Sequence, residues 1–194
     1  MSSEISRFDV PAREQLPPDL QARIDEVEDK TGFVPNIFMA LAHRPDEWRA
    51  FFAYHDALMD KETRGLSKAD RELIVVATSA ANNCLYCVVA HGAIARIRAR
   101  NPRIADQVAT DWRKAELNAR QRAVLEFAVR IAVEPWTVGA DDFEPLREHR
   151  LTDDDIWDVG AIAALFAMSN RLVHLAGTMP NDEFYLMGRV PKGS

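Results

Sequence analysis

Apolar residues recur every three or four positions along most of the chain, the spacing of one face of an α-helix. No run alternates convincingly between apolar and polar residues, and no Asn-Gly or Asp-Gly hairpin turn is present. The pattern predicts helices over about 19–30, 37–43, 45–60, 67–81, 84–99, 102–113, 118–132, 141–148 and 152–177 (one long helix or two abutting ones), with a last turn over 181–187. Short connections between these helices predict an all-α fold with antiparallel neighbours.

Three of the predicted helices begin with the same arrangement of residues. In Leu66–Asp70, Leu117–Gln121 and Leu151–Asp155, a leucine is followed by a capping residue and, three positions later, by an acid or amide. This is the layout of a capping box, which satisfies free backbone N–H groups at a helix start. Two of these helices run into breaks rich in Ser and Asn, at 79–83 and 169–170. A partial internal two-fold repeat of helical units is one interpretation.

Length and charge narrow the class of protein. The 194 residues suit one domain, with an N-terminal arm over about 1–17, a core over about 18–180 and a tail over 181–194. The formal net charge of −6 removes the attraction that drives general nucleic-acid binding. No uninterrupted apolar run reaches the roughly 18 residues of a membrane span, and the N-terminal segment lacks the apolar region of a secretion signal. We therefore expect a cytoplasmic protein with no nucleic-acid or membrane partner.

The two cysteines of the chain, Cys84 and Cys87, are the most informative residues. Two are too few for a disulfide scaffold, and a cytoplasmic setting keeps them reduced at rest. Asn82 and Asn83 break the preceding helix, which predicts that Cys84 begins the next one. Free N–H groups and partial positive charge at a helix N-terminus stabilise a thiolate and lower the pKa of a thiol.

A histidine and a glutamate stand at helical spacing from this pair. Cys87 follows Cys84 by three positions and precedes His91 by four, so all three side chains share one face of the predicted helix. Glu72 lies one helix back and faces the cysteine turn if the two helices pair antiparallel. Two thiols, an imidazole and a carboxylate suit two-electron thiol chemistry, in which one thiolate attacks and the second thiol resolves the product. This chemistry needs no metal or organic cofactor.

Other interpretations of the two cysteines depend on the residues around them. Buried cysteines often serve as small apolar side chains. A zinc site needs four ligands, and beyond His91 the histidines come in no paired spacing. Haem attachment needs a histidine directly after the second cysteine, where Val88 stands, and a thioredoxin fold would place a strand before the motif. His55 is a candidate accessory residue of the site, although a structural role is the simpler one, and His174 fits packing or an interface.

The residues around the cysteine pair resemble those of a known family. Glu72 with Cys84-x-x-Cys87-x-x-x-His91 resembles the core of the AhpD-like alkylhydroperoxidases, within the carboxymuconolactone decarboxylase-like superfamily. Four further segments resemble its peroxidase-related branch: Gly32–Asn36, Asn83–Cys87, Asn170–Leu172 and Asn181–Phe184. The resemblance covers roughly residues 15–190.

The resemblance implies an AhpD-like helical bundle that assembles as a homo-oligomer (dimer, trimer or hexamer). It implies an antioxidant activity in which hydroperoxides are reduced and an external thiol or dithiol recycles the cysteine pair. Cys87 then has the peroxidatic role, and Cys84, expected to be more exposed, resolves and meets the reductant. Tyr86 stands where the better-studied AhpD proteins carry a histidine. Its phenol can donate or accept a hydrogen bond as an accessory group, but with a pKa near 10 it is a poor base.

Two alternative functions stay open. One is an acid/base enzyme of the carboxymuconolactone decarboxylase type, which would use His91 and Glu72 without thiol chemistry and would tolerate thiol alkylation. The other is a non-catalytic, redox-responsive assembly protein, whose cysteine pair would be oxidised by peroxide without turnover.

Overall fold

The computed structural model describes residues 5–189, and its regular structure there is helical, apart from an isolated bridge residue near the start. The helices are α1 (Pro18–Thr31), α2 (Asn36–Ala40), α3 (Pro45–Met59), α4 (Lys68–Ala81), α5 (Leu85–Ala99), α6 (Ile104–Asp111), α7 (Ala119–Val133), α8 (Glu144–Glu148), α9 (Asp153–Ala176) and α10 (Glu183–Leu186). The prediction of an all-α fold is confirmed.

The structure sets the helix boundaries more closely than the prediction. The stretch 152–177 forms a single 24-residue helix, α9, which is the first of the two alternatives predicted for it. The helix predicted over 37–43 is shorter, since α2 ends at Ala40. The segment predicted as one helix over 141–148 begins with a 3₁₀ turn, Ala140–Phe143, and becomes α-helical only in α8.

All three predicted capping boxes are present. In each, the capping side chain accepts a hydrogen bond from the backbone N–H three residues on, and that residue's side chain accepts one from the backbone N–H of the cap. The pairs are Ser67 with Asp70, Asn118 with Gln121, and Thr152 with Asp155. These boxes fix where α4, α7 and α9 begin. The internal repeat stays a prediction.

The starts of these three helices meet around Gly65. The Arg120 guanidinium donates to the Gly65 carbonyl and, at 2.8 Å, to Oδ2 of Asp70. The Asp155 carboxylate sits directly against Gly65, where a Cβ would lie 2.8 Å from its Cγ. The capping carboxylates of α4 and α9 therefore also hold the helices together.

Helix α4 lies at the centre of the protein. Every residue from Asp70 to Ser79 is buried, and α5, α6, α7 and α9 all pack on it. A second, smaller apolar cluster joins α1, α2 and α3 around Phe38, Trp48 and Phe52. This arrangement places α5 and α9 side by side on α4, where the predicted site residues lie.

Helix α9 is long and apolar enough to cross a membrane by length and composition alone, with a mean hydropathy of 1.4 over its best window. However, 56% of that window is buried inside the protein. The helix packs against α3, α4 and α7, as expected of the core helix of a soluble-type fold.

The segment after residue 180 packs on the core as far as it is described. Phe184 is buried, with its ring edge-on to Phe33 at 4.9 Å between centroids. The Arg96 guanidinium donates to the carbonyls of Phe184 and Met187, each at 2.9 Å. The outer ends of the predicted arm and tail, 1–4 and 190–194, lie outside the described residues.

Candidate active site at the cysteine turn

The turn between α4 and α5 places both cysteines at a helix start. Asn83 adopts a left-handed conformation (φ 53°), and Cys84 is the N-cap of α5. Both cysteines are free thiols, and both are buried, with relative exposures of 0% for Cys84 and 2% for Cys87. The expectation that Cys84 is the more exposed thiol is therefore wrong. The reason is tertiary: α9 packs across the turn and covers it.

Two residues of α9 line the thiols. Sγ of Cys87 lies 3.9 Å from Oγ of Ser169. The next residue, Asn170, is buried, and its carboxamide interacts with both thiols. Its Nδ2 donates to Oγ of Ser79 at 3.0 Å, and its Oδ1 accepts from Nδ2 of Asn82 at 3.0 Å. Asn170 therefore ties α9 to the end of α4 and to the cysteine turn.

The two thiols have opposite pKa shifts. The pKa of Cys84 is lowered to about 7, chiefly because the Cys87 thiol donates a hydrogen bond to the Cys84 sulfur. Burial opposes this shift, while the Cys87 backbone N–H and the nearby His174 support it. The pKa of Cys87 is raised well above its ordinary value by that same interaction with Cys84 and by burial. The first proton to leave the pair therefore leaves a thiolate on Cys84.

A carboxylate–imidazole pair lies one helical turn from Cys87. Nδ1 of His91 and Oε2 of Glu72 are 2.8 Å apart, and the Glu72 side chain is buried. The guanidinium of Arg98 lies 3.9 Å from the other oxygen of Glu72. Because a carboxylate holds Nδ1–H, the nitrogen of His91 left for proton transfer is Nε2. Within residues 5–189, His91 makes no direct hydrogen bond to either thiol.

The Tyr86 hydroxyl is hydrogen-bonded to the backbone and not to His91 or Glu72. Its hydroxyl accepts a hydrogen bond from the backbone N–H of Ile37 at 3.3 Å, which joins α5 to the start of α2. Burial raises its pKa, so the phenol stays protonated at neutral pH. Tyr86 anchors two helices beside the site and supplies no base.

His55 lies next to the site. Its ring centroid is 6.2 Å from that of His91, and both rings contact the Phe166 ring. Nδ1 of His55 is 3.1 Å from Oδ1 of Asp56. The structure thus gathers Glu72, His91 and the accessory candidate His55 beside Phe166 of α9.

Known proteins resemble this chain in sequence and in fold. The family model of the carboxymuconolactone decarboxylase family matches residues 45–130, which include the cysteine turn and Glu72. A peroxidase-related protein with an alkylhydroperoxidase AhpD core, from Ralstonia eutropha JMP134, is 59% identical over 98% of this chain and all of its own, with a TM-score of 0.95. The chain belongs to the AhpD-like, peroxidase-related proteins of this family.

Further solved structures place this AhpD-like protein among its relatives. A peroxidase-related protein from Silicibacter sp. TM1040 is 36% identical over 96% of this chain and 97% of its own, with a TM-score of 0.90. A variant of the debrominase Bmp8, solved with 2,3,4-tribromopyrrole, is 19% identical over 96% of both chains, with a TM-score of 0.75, and shares the fold. No curated protein matches the chain significantly.

A sizeable cavity of this AhpD-like chain lies apart from the cysteine turn. No group of three or more His, Cys, Asp or Glu side chains within the described range is placed to hold a metal ion. A cavity of about 580 Å³ lies between α7 and the outer face of α9 and is lined by apolar side chains such as Phe127 and Trp157. None of the predicted site residues lines this cavity.

Ser169 and Asn170 are the site residues that sequence reasoning missed. They stand 82 and 88 residues from their partners Cys87 and Asn82, so no local spacing connects them to the cysteines. Two signals were available. The pair forms the polar break in the apolar pattern of α9, and Asn170 begins one of the segments that resemble the peroxidase-related branch.

Proposed function

We propose that this protein is a thiol-dependent peroxidase that reduces alkyl hydroperoxides through Cys84 and Cys87. One observation carries the proposal: two free thiols stand at the start of α5, Cys84 as its N-cap and Cys87 in its first turn, one turn before an imidazole held by a buried carboxylate. An external thiol or dithiol as reductant, a cytoplasmic location and a homo-oligomeric assembly are parts of the same proposal.

The oxidative half-reaction begins with the transfer of a proton between the two thiols. Cys87 passes its proton to the Cys84 thiolate, to which it already donates a hydrogen bond. The Cys87 thiolate attacks the outer oxygen of the hydroperoxide, the O–O bond breaks, and the alkoxide leaves with a proton from the His91 imidazolium. Glu72 supports that imidazolium through Nδ1, as a carboxylate does in a catalytic triad. The products are an alcohol and a sulfenic acid on Cys87.

The second step closes the disulfide. The Cys84 sulfur attacks the Cys87 sulfur, and the hydroxyl of the sulfenic acid leaves with the Cys84 proton as water. The two sulfurs have together given up two electrons, which the hydroperoxide has taken. Helical spacing of three residues brings the two side chains to one face of α5, as this bond requires.

Turnover of cumene hydroperoxide with dithiothreitol as reductant tests the proposal. We expect Cys84→Ser and Cys87→Ser each to abolish turnover. With one equivalent of peroxide and no reductant, Cys84→Ser should still form a sulfenic acid on Cys87, detected as a dimedone adduct by mass, whereas Cys87→Ser should not.

Other outcomes point elsewhere. Wild-type turnover rates in both variants would contradict thiol catalysis, and the Glu72–His91 pair would then favour the acid/base alternative. One round of disulfide formation without turnover, whichever thiol donor is supplied, would favour the redox-responsive assembly protein. A dimedone adduct on Cys84 alone would reverse the roles of the two cysteines.

A further inference from the structure

Two carboxylate–imidazole pairs meet at the ring of Phe166. In one, Glu72 holds Nδ1 of His91 at 2.8 Å, and in the other, Asp56 holds Nδ1 of His55 at 3.1 Å. The two imidazole centroids are 6.2 Å apart, and each ring contacts Phe166 at a steep angle. Because Nδ1 is occupied in both rings, Nε2 is the nitrogen that each has left for proton exchange.

The second pair is tied to α1 by an ion pair. Oδ2 of Asp56 binds Nη2 of Arg23 at 2.9 Å, and Arg23 also binds Glu26 at 3.0 Å. The pKa of Asp56 is lowered, first by its hydrogen bond with His55 and also by the charge of Arg23, while burial and Glu26 oppose the shift. Asp56 is therefore a carboxylate at neutral pH, and it fixes the orientation of the His55 ring from outside the cysteine turn.

Solvent exposure decreases from His55 to His91 and then to Glu72. The His55 side chain is 26% exposed, that of His91 13% and that of Glu72 6%. The two thiols are buried, at 0% and 2% exposed. Phe166 has no polar atom to carry a proton, so a proton passes between the two imidazoles, whose centroids are 6.2 Å apart, only through a bridging water. His55 thus lies between solvent and the buried Glu72–His91 pair.

We propose that His55 is the proton-exchange residue of this site, returning protons from solvent to His91 when the disulfide is reduced. This inference rests on the proposed function. A dithiol attacks Cys84, the disulfide breaks, and the Cys87 thiolate leaves and takes a proton from His91, which His55 replaces. The second thiol of the reductant then attacks the mixed disulfide and releases Cys84. The dithiol loses two electrons and becomes a disulfide, and its two protons pass to solvent.

His55 acts through His91, so it is a positioning residue rather than a catalytic one. Direct acid/base groups contribute about 10²- to 10⁴-fold, and we expect a smaller effect, on the order of tenfold, for a group one step removed. The effect should depend on pH. The groups that face the two imidazoles are Asp56 on α3, Arg23 and Glu26 on α1, Glu72 on α4 and Arg98 on α5, while α9 contributes the uncharged Phe166.

The experiment isolates the reductive half-reaction. The wild-type protein is oxidised with diamide, mixed rapidly with dithiothreitol at pH 6 to 8, and quenched with an alkylating agent for mass analysis. The glutamine of His55→Gln keeps a hydrogen-bonding side chain but cannot take up and release a proton. We expect the disulfide of this variant to be reduced about tenfold more slowly than that of the wild type. The ratio of variant to wild-type rate should fall as pH rises, because free protons become scarce, and added imidazole should restore it.

His43→Gln is the matched control. His43 stacks on Phe8 and binds the Ala40 carbonyl, away from the imidazole pair, so its variant should reduce at the wild-type rate. A wild-type rate and pH profile in His55→Gln would overturn the inference. So would a slowing that is equal at every pH and insensitive to imidazole, since that is the mark of a structural role.

The failure of this inference can be told apart from that of the proposed function. If the wild-type protein does not turn over hydroperoxide while the diamide-formed disulfide still shows the His55→Gln effect, the peroxidase function fails and the proton path stands. If hydroperoxide turnover is normal and the effect is missing, the proton path fails alone. If diamide forms no disulfide between Cys84 and Cys87, both fail.

Discussion

At the scale of single residues, the chemistry of the cysteine turn depends on which groups donate to sulfur. Both ends of the Asn170 carboxamide are used, one by Ser79 and the other by Asn82, and this fixes its orientation beside the thiols. The interaction with Asn170 favours the thiolate of Cys84, and at Cys87 it opposes the larger effects of Cys84 and burial that raise the pKa. An aspartate at that position would set a negative charge against a thiolate, so a neutral amide is the side chain that suits it.

The Cys87 thiol is the group that most lowers the pKa of Cys84. We expect Cys87→Ala to raise the pKa of Cys84 from about 7 toward its ordinary value, because the main donor to the thiolate is lost. The pH dependence of Cys84 alkylation by iodoacetamide measures this shift. At pH 7 the variant should react more slowly than wild type, and the difference should disappear above about pH 10, where the thiolate forms in both.

Ser169→Ala is the control for this titration. Ser169 touches Cys87 and is 3.9 Å from its sulfur, so Cys84 should still titrate near pH 7 in that variant. An unchanged Cys84 titration in Cys87→Ala would contradict the assignment and would leave the N-terminus of α5 as the source of the shift.

At the scale of helices, the capping boxes do more than start α4, α7 and α9. Gly65 lies where these starts meet, with the Asp155 carboxylate against its Cα and Arg120 on its carbonyl. Asp155 cannot move away without giving up its hydrogen bonds to the cap of α9. The absence of a side chain at this position is therefore a packing requirement.

Gly65→Ala should destabilise the protein by about 1–3 kcal/mol, the usual cost of forcing extra atoms into a packed site. The measurement is the free energy of unfolding in urea. Gly139→Ala is the matched control, because nothing lies within 4 Å of a Cβ at that position and its φ is not positive. Equal stability of the two variants would show that Asp155 moves freely, and that the capping boxes do not link the helices.

At the scale of helices, the features that the sequence predicts depend on residues close together in the chain. Periodicity and capping residues were enough to place helix α4 and the start of α5, because both depend on residues within a few positions of each other. The sequence predicts that Glu72 faces the cysteine turn if α4 and α5 pair antiparallel, and in the structure Glu72 contacts His91 of α5. The burial of Cys84 and the contact with Asn170 could not be predicted, since both depend on how α9 packs from some 90 positions away.

At the scale of the whole molecule, one buried ion pair holds α9 in place. Oδ2 of Asp158 binds Nη2 of Arg71 at 2.8 Å, and Oδ1 binds Nζ of Lys61 at 2.7 Å. The Arg71 guanidinium is fully buried and also donates to the carbonyl of Leu58 at 2.8 Å. The pair therefore connects the end of α3, the start of α4 and the first half of α9. The second half of the same helix covers the thiols.

Asp158→Asn should cost about 3–5 kcal/mol of unfolding free energy, because it leaves the Arg71 charge buried without its counter-ion. Asp154→Asn, on the exposed first turn of α9, is the matched control and should change stability by well under 1 kcal/mol. Replacing both buried partners, with Arg71→Met and Asp158→Leu together, should recover much of the loss, since no unpaired charge remains. A loss below about 1 kcal/mol in Asp158→Asn would mean that water or Lys61 rearranges to pair with Arg71.

The same variant also tests how α9 covers the thiols. Because α9 is one continuous helix, loosening its first half should also loosen the second half, which covers Cys84. Cys84 alkylation should therefore become faster in Asp158→Asn and not in Asp154→Asn.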